Sequence, residues 1–186
     1  LKKPLQGVVP PMVTPLLDND TLDARGAERL VEHLLAGHVS GLFLLGTTGE
    51  GTNLSFAVRH ELVRRVCQQV AGRVPVLVGV TDTVFSESLR LAKAAAEAGA
   101  AAVVAAAPYY FAPGQPELVA YYTRLAGRQP LPVFLYNMPS HTKVMLDVET
   151  VRALARNPKI VGIKDSSSVI SYFNNIRRIK REREDF

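Results

Sequence analysis

The chain has 186 residues, 47% of them hydrophobic and 21% charged, with a net charge of +5, which is the composition of a folded protein and not of a disordered one. No apolar stretch reaches the length of a membrane span, so a membrane is not an expected partner. A single cysteine, Cys67, excludes an internal disulfide framework and predicts a reducing, cytoplasmic setting.

Residues 1–7 carry no apolar secretory core, no small-residue cleavage site and no initiator methionine, so processing or truncation at that end is expected. A first apolar, β-prone run follows at residues 8–13. Ala27, Leu30, Val31, Leu34 and Leu35 then recur at helical spacing. A second run occupies residues 41–45. The next helical stripe holds Ala57, Leu62, Val63, Val66 and Val70, and Cys67 beside it reads as core and not as a nucleophile. A third run covers residues 74–80. An alanine-rich helix over residues 87–98 ends at Gly99, a residue suited to a helix C-terminus. A fourth run (101–106), a helix near 116–125 and a fifth run (132–136) come next. A helix starting near Asp147 must stop before Pro158. The sixth run, 160–164, leads into a helix over 169–180 with Ile170, Phe173 and Ile176 predicted to face inward. Five basic side chains (Arg177, Arg178, Lys180, Arg181 and Arg183) fall in residues 177–186 with three acids among them. Such interleaving marks a solvated helix face more than a phosphate-binding patch, and no nucleic-acid motif accompanies it. Nucleic acid is not an expected partner.

Strand-like runs alternating with helices at a spacing of about 30 residues predict an α/β fold with a parallel sheet. A dinucleotide-binding sheet would show G-x-G-x-x-G after an early strand, and none is present. Polar residues collect instead after many different strands, the habit of a (β/α)8 TIM barrel. Such barrels take about 250 residues. The chain therefore supplies about six β/α units, with the C-terminal units missing, and residues 1–186 read as a single incomplete barrel domain. Open strand edges predict a chain that is unstable, aggregates or borrows strands from a partner.

The polar clusters at the strand ends carry the chemistry. Lys164 closes the sixth run, where an ammonium is costly to bury unless paired. It reads either as a structural lysine with a carboxylate partner or as an amine whose lowered pKa lets it attack a carbonyl. Gly46-Thr47-Thr48-Gly49-Glu50-Gly51 after the second run is either a helix-capping turn or a cradle of N–H and hydroxyl donors for a small carboxylate. Tyr109 and Tyr110, after Pro108, and Tyr136, before Asn137, are packing residues or proton relays. Together these groups fall at one rim, which packing alone does not explain. His33, His38, His60 and His141 show no paired ligand spacing, so no metal is expected.

In order, the motifs G-T-T-G-E (46–50), P-Y-Y (108–110), Y-N-x-P (136–139) and G-I-K-D (162–165) resemble the dihydrodipicolinate synthase / N-acetylneuraminate lyase family of Schiff-base aldolases, over residues 4–180. The resemblance implies that Lys164 forms an imine with pyruvate and that Tyr136 shuttles protons. It implies that Thr47 and Thr48 bind the pyruvyl carboxylate and join the relay, with Gly49 giving backbone room. Tyr110 would enter a neighbouring subunit's relay, and Tyr109 and His141 would contact substrate. A homotetramer built from tight dimers, a small keto acid and aldehyde as substrates, and neither metal nor organic cofactor are implied as well. Two positions depart from the family pattern. His141, with Lys143 nearby, stands where the synthases carry an arginine, which disfavours aspartate semialdehyde. Phe56 and Arg59 stand where lysine-inhibited synthases have histidines, so that feedback is not expected. The leading expectation is a synthase-like lyase. The alternatives are a 2-keto-3-deoxy sugar acid or N-acetylneuraminate-type aldolase and, in another class, a non-catalytic relative that binds a keto acid or a partner subunit.

Overall fold

The computed structural model describes residues 5–186; the first four residues, and that part of the leader reading, lie outside it. In chain order the elements are α1 (Ala24–Ala36), β1 (Leu42–Leu44), α2 (Phe56–Val70), β2 (Val76–Gly79), α3 (Phe85–Glu97), β3 (Ala102–Ala106), α4 (Gln115–Arg128), β4 (Val133–Asn137), α5 (Pro139–Thr142), α6 (Val148–Ala155), β5 (Ile160–Asp165) and α7 (Ile170–Ile179). The strands form one parallel sheet in the order β1-β2-β3-β4-β5. Sequential order with a helix in each crossover is the winding of a β/α barrel; a doubly wound sheet reverses direction partway. No helix among the described residues is long and apolar enough to cross a membrane.

Local chemistry sets the element ends. Asp23 caps α1 by accepting from the Gly26 N–H, and Ser55 caps α2 by accepting from Val58. Pro116 sits in the first turn of α4, where its missing N–H costs nothing. Gly99, at φ +92°, ends the α3 region as expected. Apolar side chains on both faces of the strands divide the core in two. The larger part lies between sheet and helices and includes Val31, Val63, Val66, Leu118, Leu125 and Leu154. The smaller lines the inner face: Phe43, Leu77, Ala102, Val104, Ala106 and Tyr136.

Several expectations need correction. The first run is not a strand: it meets β1 through one isolated bridge, Pro11 to Phe43, with Met12 N–H donating to Phe43 and Phe43 N–H donating to Pro10. Pro10 and Pro11 have no N–H to extend the ladder. On α7, Ile170 is 72% exposed and Phe173 is exposed, while Tyr172, Ile176 and Ile179 face the core. The helix begins one residue after Val169, which sets its phase. Ala57 is exposed on α2, whose buried face runs through Val58, Leu62, Val63, Val66, Cys67 and Val70 and includes Arg59. Arg183 in the basic tail is not a solvated charge: its guanidinium donates to the carbonyls of Ala155, Asn157 and Ile160 and ties the end of α6 to β5. Arg177, Arg178, Lys180 and Arg181 are exposed, as a solvated face requires.

Cys67 is buried on α2, and burial pushes its thiol up to about 11. It is therefore protonated and shielded at pH 8. A thiol-specific disulfide reagent should leave Cys67 unmodified in the native protein at that pH and label it after denaturation in guanidinium; rapid labelling of Cys67 in the native protein would contradict this packing.

Candidate active site

The site begins with the pairing of β4 and β5. Val133 pairs with Ile160, but Phe134 pairs with Gly162, so the register slips by one residue at Val161. After the slip Tyr136 pairs with Lys164 and Asn137 with Asp165. Neighbours in register share a face, and one residue of slip exchanges the faces. Ile160 and Ile163 both pack in the helix-side core, which leaves Lys164 on the inner face with Tyr136. Gly162 permits this, because a Cβ there would stand 2.7 Å from the Phe134 ring.

Lys164 is half-buried, not enclosed, on a strand at the edge of the described sheet. Its ammonium lies 3.9 Å from the centre of the Tyr136 ring and donates to Ser166 Oγ at 2.9 Å. The Tyr136 hydroxyl lies 3.3 Å from Thr47 Oγ1, across the rim from β1. Burial pushes the Tyr136 phenol up. The hydrogen bonds with Lys164, Thr47 and Ser166, together with the Lys164 charge, outweigh burial and hold it below its ordinary 10. Amine, phenol and two hydroxyls thus form a chain along which a proton can pass.

The turn behind Lys164 is fixed by a buried amide. Asn137 Nδ2 donates to Asp165 Oδ1 at 2.8 Å, its Oδ1 accepts from the Leu146 N–H, and its carbonyl accepts from the Ser166 N–H. Asp165 also holds the Ser167 N–H and hydroxyl. Ser166 and this Asn137–Asp165 clamp had no assigned role in the sequence. The polar run 165–168 was visible there, but which hydroxyl meets the amine depends on the turn.

A cavity of about 450 Å³ opens beside this chain. Thr47, Tyr109 and Tyr136 line it, with His141 and Lys143 on α5 and just beyond it. Glu50, named in the sequence only as part of its motif, adds polar wall, as do Thr52, Asn53 and Thr81, which the sequence had not singled out. His141 is exposed and its Nδ1 shares a hydrogen bond with Ser140 Oγ at 2.9 Å; Lys143 Nζ donates to the Ser140 carbonyl at 3.0 Å. Burial, then the nearby Asp82 carboxylate, pushes the Tyr109 phenol up. Thr48 is exposed beside Thr47. Gly49 is buried beneath the loop, its carbonyl accepting from Thr14 Oγ1 at 2.7 Å, and a Cβ there would meet the Met12 carbonyl at 2.7 Å. Tyr110 stands apart from the cluster: it is 85% exposed, at φ +83°, and packs edge-on against the equally exposed Phe111. Among the described residues no His, Cys, Asp and Glu side chains gather as a metal site.

Most of the described non-glycine residues of positive φ stand at this rim; His38 and Ala71, before β1 and β2, do not. Leu45, Glu50, Tyr110, Lys143 and Ser168 all have positive φ, and each follows the carboxyl end of a strand. A non-glycine residue there costs about 1–2 kcal/mol, and such outliers cluster where a site over-determines the backbone.

Comparison with known proteins agrees with this geometry. The model of the dihydrodipicolinate synthetase family matches residues 4–185. A curated relative, the 4-hydroxy-tetrahydrodipicolinate synthase of Staphylococcus carnosus, is 38% identical over 172 residues, covering 92% of this chain and 58% of its own. The structure of dihydrodipicolinate synthase from Bacteroides thetaiotaomicron superposes with a TM-score of 0.95 at 50% identity, over 100% of this chain and 62% of that one. YagE, a prophage protein of E. coli K12 in the dihydrodipicolinic acid synthase family, solved with pyruvate, gives 0.93 at 33% identity, over 97% of this chain and 61% of its own. The chain thus spans about three-fifths of the length of the relatives it matches. With the sheet order, the strand-end motifs and the family model in agreement, the chain belongs to the dihydrodipicolinate synthetase family.

Proposed function

We propose that the protein carrying this chain is a class I lyase that condenses pyruvate with an aldehyde, of the 4-hydroxy-tetrahydrodipicolinate synthase type. The contact chain Lys164–Tyr136–Thr47 carries the proposal: an amine, a phenol of lowered pKa and a hydroxyl meet at adjacent strand ends. The neutral Lys164 amine attacks the ketone carbon of pyruvate and forms a carbinolamine. Loss of water, with its proton delivered by Tyr136, leaves the imine. The imine withdraws electrons from the adjacent methyl carbon, which gives up a proton to the Tyr136 phenolate; the resulting enamine attacks the aldehyde carbon. The aldehyde oxygen takes the proton back from Tyr136, and attack of water or of a substrate amine on the restored imine carbon releases the product and frees Lys164. The imine is itself the electron sink, so this route calls for neither metal nor organic cofactor.

Thr47 and Thr48 are assigned to the pyruvyl carboxylate, with Gly49 setting the loop they stand on. Tyr109 and His141 are assigned to the second substrate. The relatives' name supports aspartate semialdehyde as that aldehyde over release of pyruvate from a sugar acid. His141 and Lys143, both on the cavity wall, are the hydrogen-bonding groups assigned to its carboxylate. The exposed Tyr110 is assigned to the site of a neighbouring copy, in a dimer of dimers working in the cytoplasm.

These outcomes are expected. Borohydride added with pyruvate to the full-length protein should leave a carboxyethyl group on the peptide containing Lys164. A folded protein that stays unmodified would reject the lyase and leave the non-catalytic relative. Ultraviolet titration should show the Tyr136 phenol ionising below 10. The Thr47 hydrogen bond favours the phenolate, so its removal in Thr47→Val should raise that pKa and shift the alkaline side of the rate profile upward. Tyr136→Phe should remove this titration and slow turnover by about 10²-fold or more.

A further inference from the structure

The proposed chemistry leaves one buried charge pair without a use. Arg59 on α2 and Asp82 after β2 are each 6% exposed, and Arg59 Nη1 donates to Asp82 Oδ2 at 2.9 Å. The other two nitrogens bond to the loop: Nε donates to the Leu54 carbonyl at 2.9 Å and Nη2 to the Thr52 carbonyl at 3.3 Å, while the Phe56 ring centre lies 4.9 Å from the guanidinium. Asp82 Oδ1 accepts the Val84 N–H that opens α3. Three of the five N–H donors of this arginine are thus engaged within the protein, one at each nitrogen, and a buried ion pair is a poor source of net stability.

Its position gives it a task. Thr52 and Leu54 end the loop that starts with Thr47 and Thr48. That loop is a succession of turns: Gly51 N–H to Gly46, Glu50 N–H to Thr47 and Asn53 N–H to Glu50. Glu50 within it and Leu45 just before it hold left-handed backbone, a conformation that persists only where the surroundings fix it. Arg59 fixes the far end of this strained loop and ties it to the adjacent strand end through Asp82.

We propose that the Arg59–Asp82 pair is a positioning device that holds the 46–54 loop in place and thereby sets affinity for the substrate carboxylate, without acting on the chemistry at Lys164. This rests on the keto-acid reading above. Arg59→Lys keeps the charge but cannot reach Asp82 and both carbonyls with one fork. In the full-length protein it should raise the KM for pyruvate by about tenfold or more, while the rate of borohydride trapping at saturating pyruvate stays within about twofold of the parent. Asp82→Asn keeps the shape, and carries the same expectation should Arg59→Lys not fold. A folded variant with unchanged KM, losing only thermal stability, would make the pair merely structural and overturn the inference. So would a fall in the saturated trapping rate at unchanged KM. A parent protein that forms no adduct at any pyruvate concentration would instead overturn the keto-acid reading, and the inference with it.

Discussion

The slip of one residue at Val161 governs the site. Were β5 to pair regularly with β4 from Ile160 onward, Ile163 would lie opposite Tyr136. Lys164 would then point with Asn137 into the helix-side core. The ammonium would then take the place that Asp165 holds beside Asn137, on the face away from the Tyr136 ring and Thr47. The bulge lets Ile160 and Ile163, three residues apart, both reach that core while Lys164 turns inward. Burial of two isoleucines thus pins the amine beside the phenol. Gly162 is the local condition, since the Phe134 ring occupies the space a side chain would need.

Around that pair the structure divides its labour. The large core between sheet and helices provides the hydrophobic stabilisation and makes the strands a rigid base. The inner face is small, and its upper end is given to polar groups. Strain is concentrated where the strands end, in loops held by specific bonds: Asn137 and Asp165 behind Lys164, Arg59 and Asp82 behind Thr47, Thr14 beneath Gly49. Groups intended to meet within a few tenths of an ångström need such supports, because the loops themselves bury little.

Much of this was legible in the chain itself. Six β-prone runs, helical stripes between them and polar residues after the runs led to a β/α barrel, and five of the six runs are strands of the predicted kind. The first run, 8–13, failed because apolar pattern says nothing about donors, and Pro10 and Pro11 have none. Lys164, Tyr136 and Thr47 were identifiable because their residue types are costly or unusual at strand ends. Ser166, Asn137, Arg59 and Arg183 were not, because their roles follow from contacts between segments 23 or more residues apart or from the path of a turn. The inward face of α7 was misplaced for a related reason. Ile170 and Phe173 fit the helical period, but the helix starts where tertiary packing puts it, and Tyr172 took the buried position.

Hydrogen–deuterium exchange at the pyruvate methyl group tests the working unit as a whole, since it requires both an imine at Lys164 and a proton carrier at Tyr136. In heavy water, and without any aldehyde, the full-length protein should remove the methyl proton signal catalytically, Lys164→Met should not, and Tyr136→Phe should do so slowly. Exchange that survives Lys164→Met undiminished, or a folded parent protein that exchanges no faster than buffer, would contradict the account.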